Sequence, residues 1–129
     1  MNSYLTAAAA LAVLVGLVHS VLGERLVFSR MRQGQLVPTN GGTVLRQPHV
    51  RILWASWHAL SVLGWAIAAA ILLLATEPSL NNLHASLLHV MAAAMLASAA
   101  LVFYGTRARH PGWLGLLGIA VLIWVGTSQ

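Results

Sequence analysis

The sequence contains no cysteine, no lysine and no aspartate, and its only charged residues are seven arginines and two glutamates. Without cysteine, the chain has no disulfide, no thiolate ligand for a metal or iron–sulfur cluster, and no thiol nucleophile. A hydrophobic content of 59% with so little charge excludes a water-soluble domain of ordinary composition. It also excludes intrinsic disorder, which needs much charge and few apolar residues. The composition is that of a protein that crosses a membrane several times.

Four apolar stretches, at about 4–23, 50–75, 80–105 and 112–126, account for most of the chain. A helix needs about 20 apolar residues to cross about 30 Å of hydrocarbon, and the first three stretches meet that length. The fourth is shorter and glycine-rich, which lipid tolerates because an unsatisfied backbone would cost more. The continuous runs lack the alternating polarity of barrel strands. The sequence therefore predicts an all-α fold, a single transmembrane four-helix bundle over residues 1–129 with a hydrophilic loop at 24–49.

The positions of the arginines predict the orientation of the chain. Five of them lie at or between spans one and two, and two lie between spans three and four: Arg25, Arg30, Arg32, Arg46 and Arg51, then Arg107 and Arg109. In a four-helix protein those two connections share one side, which the positive-inside rule makes cytoplasmic. We therefore expect a multi-pass protein of the bacterial inner membrane with both termini outside, and an external turn at Glu77 and Pro78.

Two other interpretations of the basic, apolar sequence are weaker. The pI of about 11.6 follows from the topology-setting arginines, and no aromatic and basic face accompanies them, so no nucleic-acid partner is expected. The first span lacks a basic leader and a small-x-small cleavage site before His19, so we expect it to be retained and not cleaved as a signal peptide.

The loop at 24–49 contains several turn-forming residues, namely Gly34, Pro38, residues 40–42 and Pro48. Its first third interleaves Leu26, Phe28 and other apolar residues with arginines. That pattern is consistent with a segment lying on the cytoplasmic interface against anionic lipid. A solvated loop whose arginines only set the topology is an equally good interpretation.

Small residues four apart indicate where membrane helices pack closely. Such spacings occur in the first three spans: Ala8, Ala12, Gly16 and Ser20; Ala55 and Ala59, then Gly64 and Ala68; and Ala93 and Ala97. Span four offers its glycines as small residues. Packing inside one bundle is favoured over a homo-oligomer or a membrane-complex interface. The aromatic residues near the span ends, Trp54, Trp57, Tyr104 and Trp113, are typical of interfacial membrane anchors.

Three histidines lie well inside the predicted spans, away from the span ends, where ionisable groups usually face the bundle interior. At 1.5 Å per residue, His19 lies about 6 Å and His58 about 9 Å from the cytoplasmic end of the helix. His89 enters from the other side, roughly 13 Å away in depth, so three histidines around one ion are not expected. His84 and His110 flank helix ends, and His49 belongs to the loop.

Polar groups near His19 and His58 complete the candidate site. Ser20 and Ser61 supply hydroxyls at the same level, and Glu24 and Arg51 are expected to pair across the ends of spans one and two. His89 is a secondary candidate. The predicted site is thus a cluster in the cytoplasmic leaflet, formed by His19, Glu24 and His58 with Ser20, Arg51 and Ser61 in support.

Several roles are open to such a cluster. Two imidazoles from facing helices can ligate haem b, or a transition metal with a carboxylate as third ligand. The same groups can relay a proton or ion. The structural alternative is that the histidines only form hydrogen bonds between helices, each worth about 0.6 kcal/mol. No catalytic motif is recognisable, so we expect a non-catalytic ligand-binding or accessory membrane protein, with a haem or metal redox protein or a small proton or ion transporter as alternatives.

The segment from His19 to Arg25, followed by Arg51 and by Trp57 and His58, resembles small bacterial four-helix inner-membrane proteins of about this length. The resemblance implies that His19, Glu24 and His58 matter, and it implies no substrate or cofactor. Small multidrug transporters and fluoride channels share the length and span count. The chain lacks the membrane-embedded glutamate of the former and the glycine and arginine pattern of the latter.

Overall fold

The computed structural model describes residues 2–76, 82–105, 108 and 111–128. These residues form four α-helices and one short 3₁₀ turn: α1 (Ser3–Leu26), the 3₁₀ turn (Phe28–Met31), α2 (Gln47–Thr76), α3 (Asn82–Gly105) and α4 (Gly112–Thr127). Helices α1, α2 and α3 are each long and apolar enough to cross a membrane, while α4 is a shorter apolar helix of 16 residues. The predicted all-helical fold with four apolar helices is confirmed.

All eight helix ends lie within three residues of the predicted ones. Helix α2 begins at Gln47, three residues before the predicted start, and so includes Pro48. Proline is compatible with the first turn of a helix, because the N–H that it lacks would have no intrahelical partner there. His49 therefore lies in the first turn of α2 and not in the loop as predicted. The predicted turn at Glu77 and Pro78 lies outside the described residues. Arg107, Arg109 and His110, on which predictions were also made, lie outside them as well.

The chain forms two compact units, and α1 and α2 contribute residues to both. Unit 1 comprises Met1–Val15 and Gly64–Gln129, and unit 2 comprises Gly16–Leu63. Unit 1 thus contains the first half of α1, the second half of α2 and the whole of α3 and α4. Helices α3 and α4 pack against each other. Unit 2 contains the end of α1, the 3₁₀ turn, the loop and the first half of α2.

Unit 1 has an apolar core to which all four helices contribute. Its largest fully buried side chains are Leu5, Ile71, Leu88, Ile119 and Ile123. Alanines such as Ala8 and Ala92 lie in the same core, and their small side chains let helix backbones approach closely.

The glycines of α4 lie against side chains of α1 within unit 1. A Cβ added at Gly115 would lie 2.7 Å from a methyl carbon of Val15, and one added at Gly126 would lie 2.8 Å from a methyl carbon of Leu5. These glycines therefore serve close packing inside the chain, as predicted for small residues of a bundle. Two other residues of the predicted set, Ala93 and Ala97, are exposed and do not share this role.

Hydrogen bonds at one end of unit 1 hold the start of α1 in place. The Asn2 side-chain oxygen accepts from the backbone N–H groups of Tyr4 and Leu5, at 3.1 and 3.2 Å, and so caps the helix. The Asn2 amide nitrogen donates to the carbonyl oxygen of Gly126 at 2.7 Å. One side chain thus caps α1 and also binds the last turn of α4.

The loop of unit 2 turns back on itself over a short distance. The backbone N–H groups of Thr39 and Asn40 both donate to the carbonyl oxygen of Met31, at 3.1 and 2.9 Å. Gly34 and Gly42 have positive φ angles of 74° and 65°, which glycine adopts without steric cost. The turns predicted from these glycines are confirmed.

Candidate functional site

The imidazole of His58, on α2, lies among polar and aromatic groups of unit 2. The Trp54 ring meets it edge to face, with ring centroids 5.0 Å apart. The buried Phe28 ring belongs to the 3₁₀ turn, and its centroid lies 6.0 Å from the centroid of the His58 ring. His58 is therefore held on two sides by aromatic rings, and its two ring nitrogens face polar groups of α1.

A pair of serine hydroxyls extends from one of those nitrogens. Ser20 Oγ lies 2.9 Å from His58 Nδ1. Ser20 also donates to Ser61 Oγ at 2.9 Å, and Ser61 is only 2% exposed. Because Ser20 has a single hydroxyl hydrogen, it accepts from Nδ1–H when it donates to Ser61. The three side chains thus form a continuous hydrogen-bonded chain between α1 and α2.

Glu24, near the end of α1, faces the other nitrogen of His58. Its Oε2 lies 3.6 Å from His58 Nε2 and accepts from Trp54 Nε1 at 3.3 Å. Its Oε1 forms an ion pair with the guanidinium of Arg32, which follows the 3₁₀ turn. One carboxylate therefore binds or faces groups from α2 and from the loop.

His19 joins the site through Trp57 of α2. The two rings stack with centroids 4.5 Å apart and an angle of 7° between their planes. Trp57 Nε1 donates to the His19 carbonyl oxygen at 3.1 Å, and Phe28 packs edge to face on the same indole. The indole also lies directly against Gly23. This stack fixes the position of the Trp57 indole beside the end of α1.

Helical periodicity explains why these side chains meet. Residues 54, 57, 58 and 61 of α2 are three or four positions apart and so share one face, as do residues 20 and 24 of α1. We call the set Ser20, Glu24, Arg32, His58 and Ser61 the polar site. His19, Phe28, Trp54 and Trp57 form its aromatic wall.

The structure brings most of the predicted site residues together. His19, Ser20, Glu24, His58 and Ser61 all lie in or beside the polar site.

The predicted ion pair between Glu24 and Arg51 is wrong. Glu24 pairs with Arg32, and the Arg51 side chain is exposed. The reason is local: Val50 is the buried residue in this turn of α2, and the 3₁₀ turn directs Arg32 back toward α1.

The other predicted candidates lie elsewhere. His89 belongs to unit 1, where its ring meets Trp124 with centroids 6.4 Å apart and its Nε2 lies 3.4 Å from Thr127 Oγ1. The anchors Tyr104 and Trp113 lie near the last turn of α3 and the first turn of α4, as the sequence indicates.

Sequence reasoning missed several residues of the site. It assigned Trp54 and Trp57 to the membrane interface, although Trp54 lies four positions before His58 and Trp57 three positions after Trp54, which places both on the helix face that His58 uses. Arg32 was indistinguishable from the other arginines of the loop, because only the 3₁₀ turn brings it to Glu24. Gly23 interrupts an apolar helix one residue before Glu24, and this position marks the close approach of Trp57.

Two buried nitrogens of the polar site have no hydrogen-bond partner in the described part of the chain. Arg32 Nε and His58 Nε2 are both buried, and the Glu24 carboxylate lies beside each residue. Arginine Nε always carries a hydrogen, so at least this donor lacks an acceptor. A buried donor without an acceptor costs about 1 to 3 kcal/mol, and a bound molecule with an acceptor atom would remove that cost.

The arrangement does not favour ligation of a metal or haem. Among the described residues, no group of three or more histidine, aspartate or glutamate side chains could hold a metal ion. His58 Nδ1 lies at hydrogen-bond distance from Ser20, and Nε2 faces Glu24 across 3.6 Å. An axial haem ligand needs one ring nitrogen directed at the iron, and neither nitrogen of His58 points away from protein groups.

The order Ser20, His58, Glu24 has the connectivity of an acyl-transfer triad, which the sequence did not reveal. Such a site also needs backbone or side-chain donors that stabilise an oxyanion beside the serine. Ser20 lies inside α1, where the neighbouring backbone N–H groups serve the helix. The geometry around Ser20 therefore supports hydrogen bonding and not acyl transfer.

No family model, curated protein or solved structure matches this chain.

Proposed function

We propose that this chain is an integral protein of the bacterial inner membrane that crosses the bilayer four times, with both termini outside. The large apolar side chains exposed along its helices support this location, since a water-soluble monomer rarely exposes such extensive apolar surface. Leu60, Leu63 and Leu73 are 62%, 61% and 69% exposed. The lipid bilayer is then the first partner of the chain. The arginines of the chain face the cytoplasm.

Helix α4 fits this proposal with a local adjustment of the bilayer. Its 16 residues extend about 24 Å, less than the hydrocarbon thickness of about 30 Å. Short spans are accommodated by local thinning of the bilayer or by flanking residues that reach the interface. Trp113 in its first turn is suited to mark that interface.

We further propose that the polar site binds a small polar ligand without catalysing a reaction. The observation that carries this proposal is the pair of buried nitrogens beside Glu24, Arg32 Nε and His58 Nε2, that have no hydrogen-bond partner among the described residues. A ligand that fits them has an acceptor atom for the Arg32 Nε–H group and a polar group that can hydrogen-bond to His58 Nε2. Because the Glu24 carboxylate already pairs with Arg32, a neutral molecule that can also donate to Glu24 is favoured over an anion.

Native mass spectrometry of the full chain in mild detergent tests the proposal. We expect the wild-type chain to retain a bound small molecule, and Glu24→Gln and His58→Ala to lose most of it. Ser56→Ala is the matched control, because Ser56 is exposed and its hydroxyl donates only to the Leu53 carbonyl of its own helix. A wild-type chain without any retained molecule, or equal retention in the site variants, would contradict ligand binding.

Elemental analysis of the same sample separates this proposal from the redox alternative. A near-stoichiometric amount of iron, copper or zinc in protein never exposed to chelator would favour the haem or metal role at His19 and His58. We expect each metal to be well below one atom per chain.

Proton passage is a second candidate, favoured by the hydrogen-bonded chain through His58. Glu24 faces Nε2, Ser20 binds Nδ1, and Ser61 follows. Each serine hydroxyl can both donate and accept, so its hydrogen can point toward either neighbour in the chain of hydrogen bonds. A proton relay requires this reversal of direction. The chain then acts as a small proton transporter.

Flux into liposomes tests this second role. A reconstituted proton pathway would acidify vesicles under an imposed potential, and His58→Ala would lower the rate several-fold, whereas Ser56→Ala would not. A rate equal to that of empty vesicles would eliminate proton passage and leave ligand binding as the function.

A further inference from the structure

A basic surface surrounds the loop of unit 2 and has no part in the polar site. It consists of four exposed arginines and two exposed apolar side chains: Arg25, Arg30, Arg46, Arg51, Leu36 and Val44. We call this set the basic loop surface. All six residues lie between the last turns of α1 and the first turns of α2, so the topology places them at one end of this helix pair.

The positive charge of this surface is not neutralised within unit 2. Glu24 is the only acidic residue in the sequence from 16 to 63, and Arg32 already occupies its Oε1. The four arginines of the surface form no ion pair among the described residues. The surface is therefore complementary to a partner rich in negative charge.

Two apolar side chains project from the same loop. Leu36 is 74% exposed and Val44 is 84% exposed, more than almost any other large apolar residue described. The backbone holds the loop in a turned conformation through the bonds to Met31 and a short bridge between Gly41 and Leu45. A partner that accepts both arginine and aliphatic side chains is a membrane interface, where apolar groups enter below the headgroups.

We propose that the basic loop surface binds the headgroups of anionic phospholipids, with Val44 and Leu36 inserted into the interface. The inference rests on the proposed membrane location, because the ends of α1 and α2 must reach the headgroup region. Arginines near an anionic leaflet are attracted to it within about one Debye length, roughly 10 Å at 0.1 M salt. The loop then lies on the leaflet and does not extend into water.

A fluorophore on the loop tests the proposal in the full chain. The protein contains no cysteine, so Val44→Cys provides one unique thiol for an environment-sensitive label. The labelled chain is reconstituted into nanodiscs of phosphatidylcholine alone or of an equimolar mixture with phosphatidylglycerol. We expect blue-shifted emission and several-fold lower quenching by aqueous acrylamide only in the mixture, and reversal at high salt.

Charge variants identify the cause of the shift. Replacing Arg46 and Arg51 by glutamine should remove most of the shift, whereas replacing both by lysine should preserve it, and the exposed side chains leave the fold intact in either case. Emission that is identical in the two lipids, whether blue-shifted or water-like, would overturn the proposal. An equal shift on adding inorganic phosphate at matched ionic strength would assign the surface to a soluble ion and would also overturn it.

The reconstitution step distinguishes this inference from the proposed membrane location. A chain that fails to enter nanodiscs of either composition contradicts the proposed location and thereby the inference. A chain that enters both, and shows no dependence on phosphatidylglycerol, contradicts the inference alone.

Discussion

The indole of Trp57 lies directly against Gly23, with no space for a Cβ between them. Replacement Gly23→Ala should displace the indole and weaken both its bond to the His19 carbonyl and its stack on the His19 ring. Overpacking of this kind costs about 1 to 3 kcal/mol. We expect a correspondingly lower stability when the protein in mild detergent is unfolded with dodecyl sulfate and followed by circular dichroism.

Gly64→Ala is the control for that measurement. Gly64 also lies within a helix, but a Cβ at this position would meet nothing within 4 Å. Alanine is favoured over glycine in a helix by about 0.5 to 1 kcal/mol, so this variant should be unchanged or more stable. Equal destabilisation of both variants would show that the Trp57 contact is not the cause.

The hydrogen bond between Ser20 and Ser61 can be measured by a double-mutant cycle. Hydrogen bonds between membrane helices average about 0.6 kcal/mol, with a maximum of about 1.7. We expect Ser20→Ala and Ser61→Ala to show a coupling free energy in this range, from the same unfolding titration. Strictly additive effects of the two substitutions would indicate that the hydroxyls are not in contact.

The ion pair of Glu24 and Arg32 should protect the 3₁₀ turn from proteolysis. Phe28 is only 2% exposed and lies between Glu24 and Arg32 in sequence. Glu24→Gln removes the charge that holds Arg32, so chymotrypsin should cleave after Phe28 several-fold faster. Arg30→Gln removes an exposed arginine of the same turn and should leave the rate unchanged. Equal rates for wild type and Glu24→Gln would argue against this role of the ion pair.

The buried leucine of α3 should contribute more to stability than an exposed one of the same helix. Leu88 is fully buried in the core of unit 1, whereas Leu83 is 65% exposed. Leucine to alanine substitutions in cores cost about 2 to 5 kcal/mol, and we expect the lower end, because lipid and not water solvates the unfolded reference. Leu83→Ala should change the free energy of unfolding little. Similar losses for both variants would place Leu83 in a contact outside the described core.

The helices could be predicted from the sequence because each is a long apolar run bounded by charged or turn residues. The pattern also placed the Ser61 hydroxyl at the level of His58 in the predicted bundle. The sequence could not choose Arg32 over Arg51 as the partner of Glu24, because that choice depends on the turn at Phe28–Met31. Hydrophobic periodicity contains no information about such a short turn.

The two tryptophans show a related limit. A tryptophan near the end of an apolar span is typical of a membrane anchor, and Trp54 and Trp57 both fit that rule. Their indole N–H groups instead donate to Glu24 and to the His19 carbonyl. Position along a span predicts depth, but the direction of a side chain depends on the helix that packs against it.

The central claim is that the polar site holds a ligand through the Arg32 Nε–H donor, which has no acceptor in the described part of the chain, and Arg32→Lys tests it most directly. Lysine keeps the positive charge beside Glu24 but removes the Nε–H group that lacks an acceptor. The matched control is Arg30→Lys, at an exposed position of the 3₁₀ turn. By native mass spectrometry, we predict that Arg32→Lys loses most of the retained molecule while Arg30→Lys keeps it. Retention that is equal in wild type and both variants would contradict the claim.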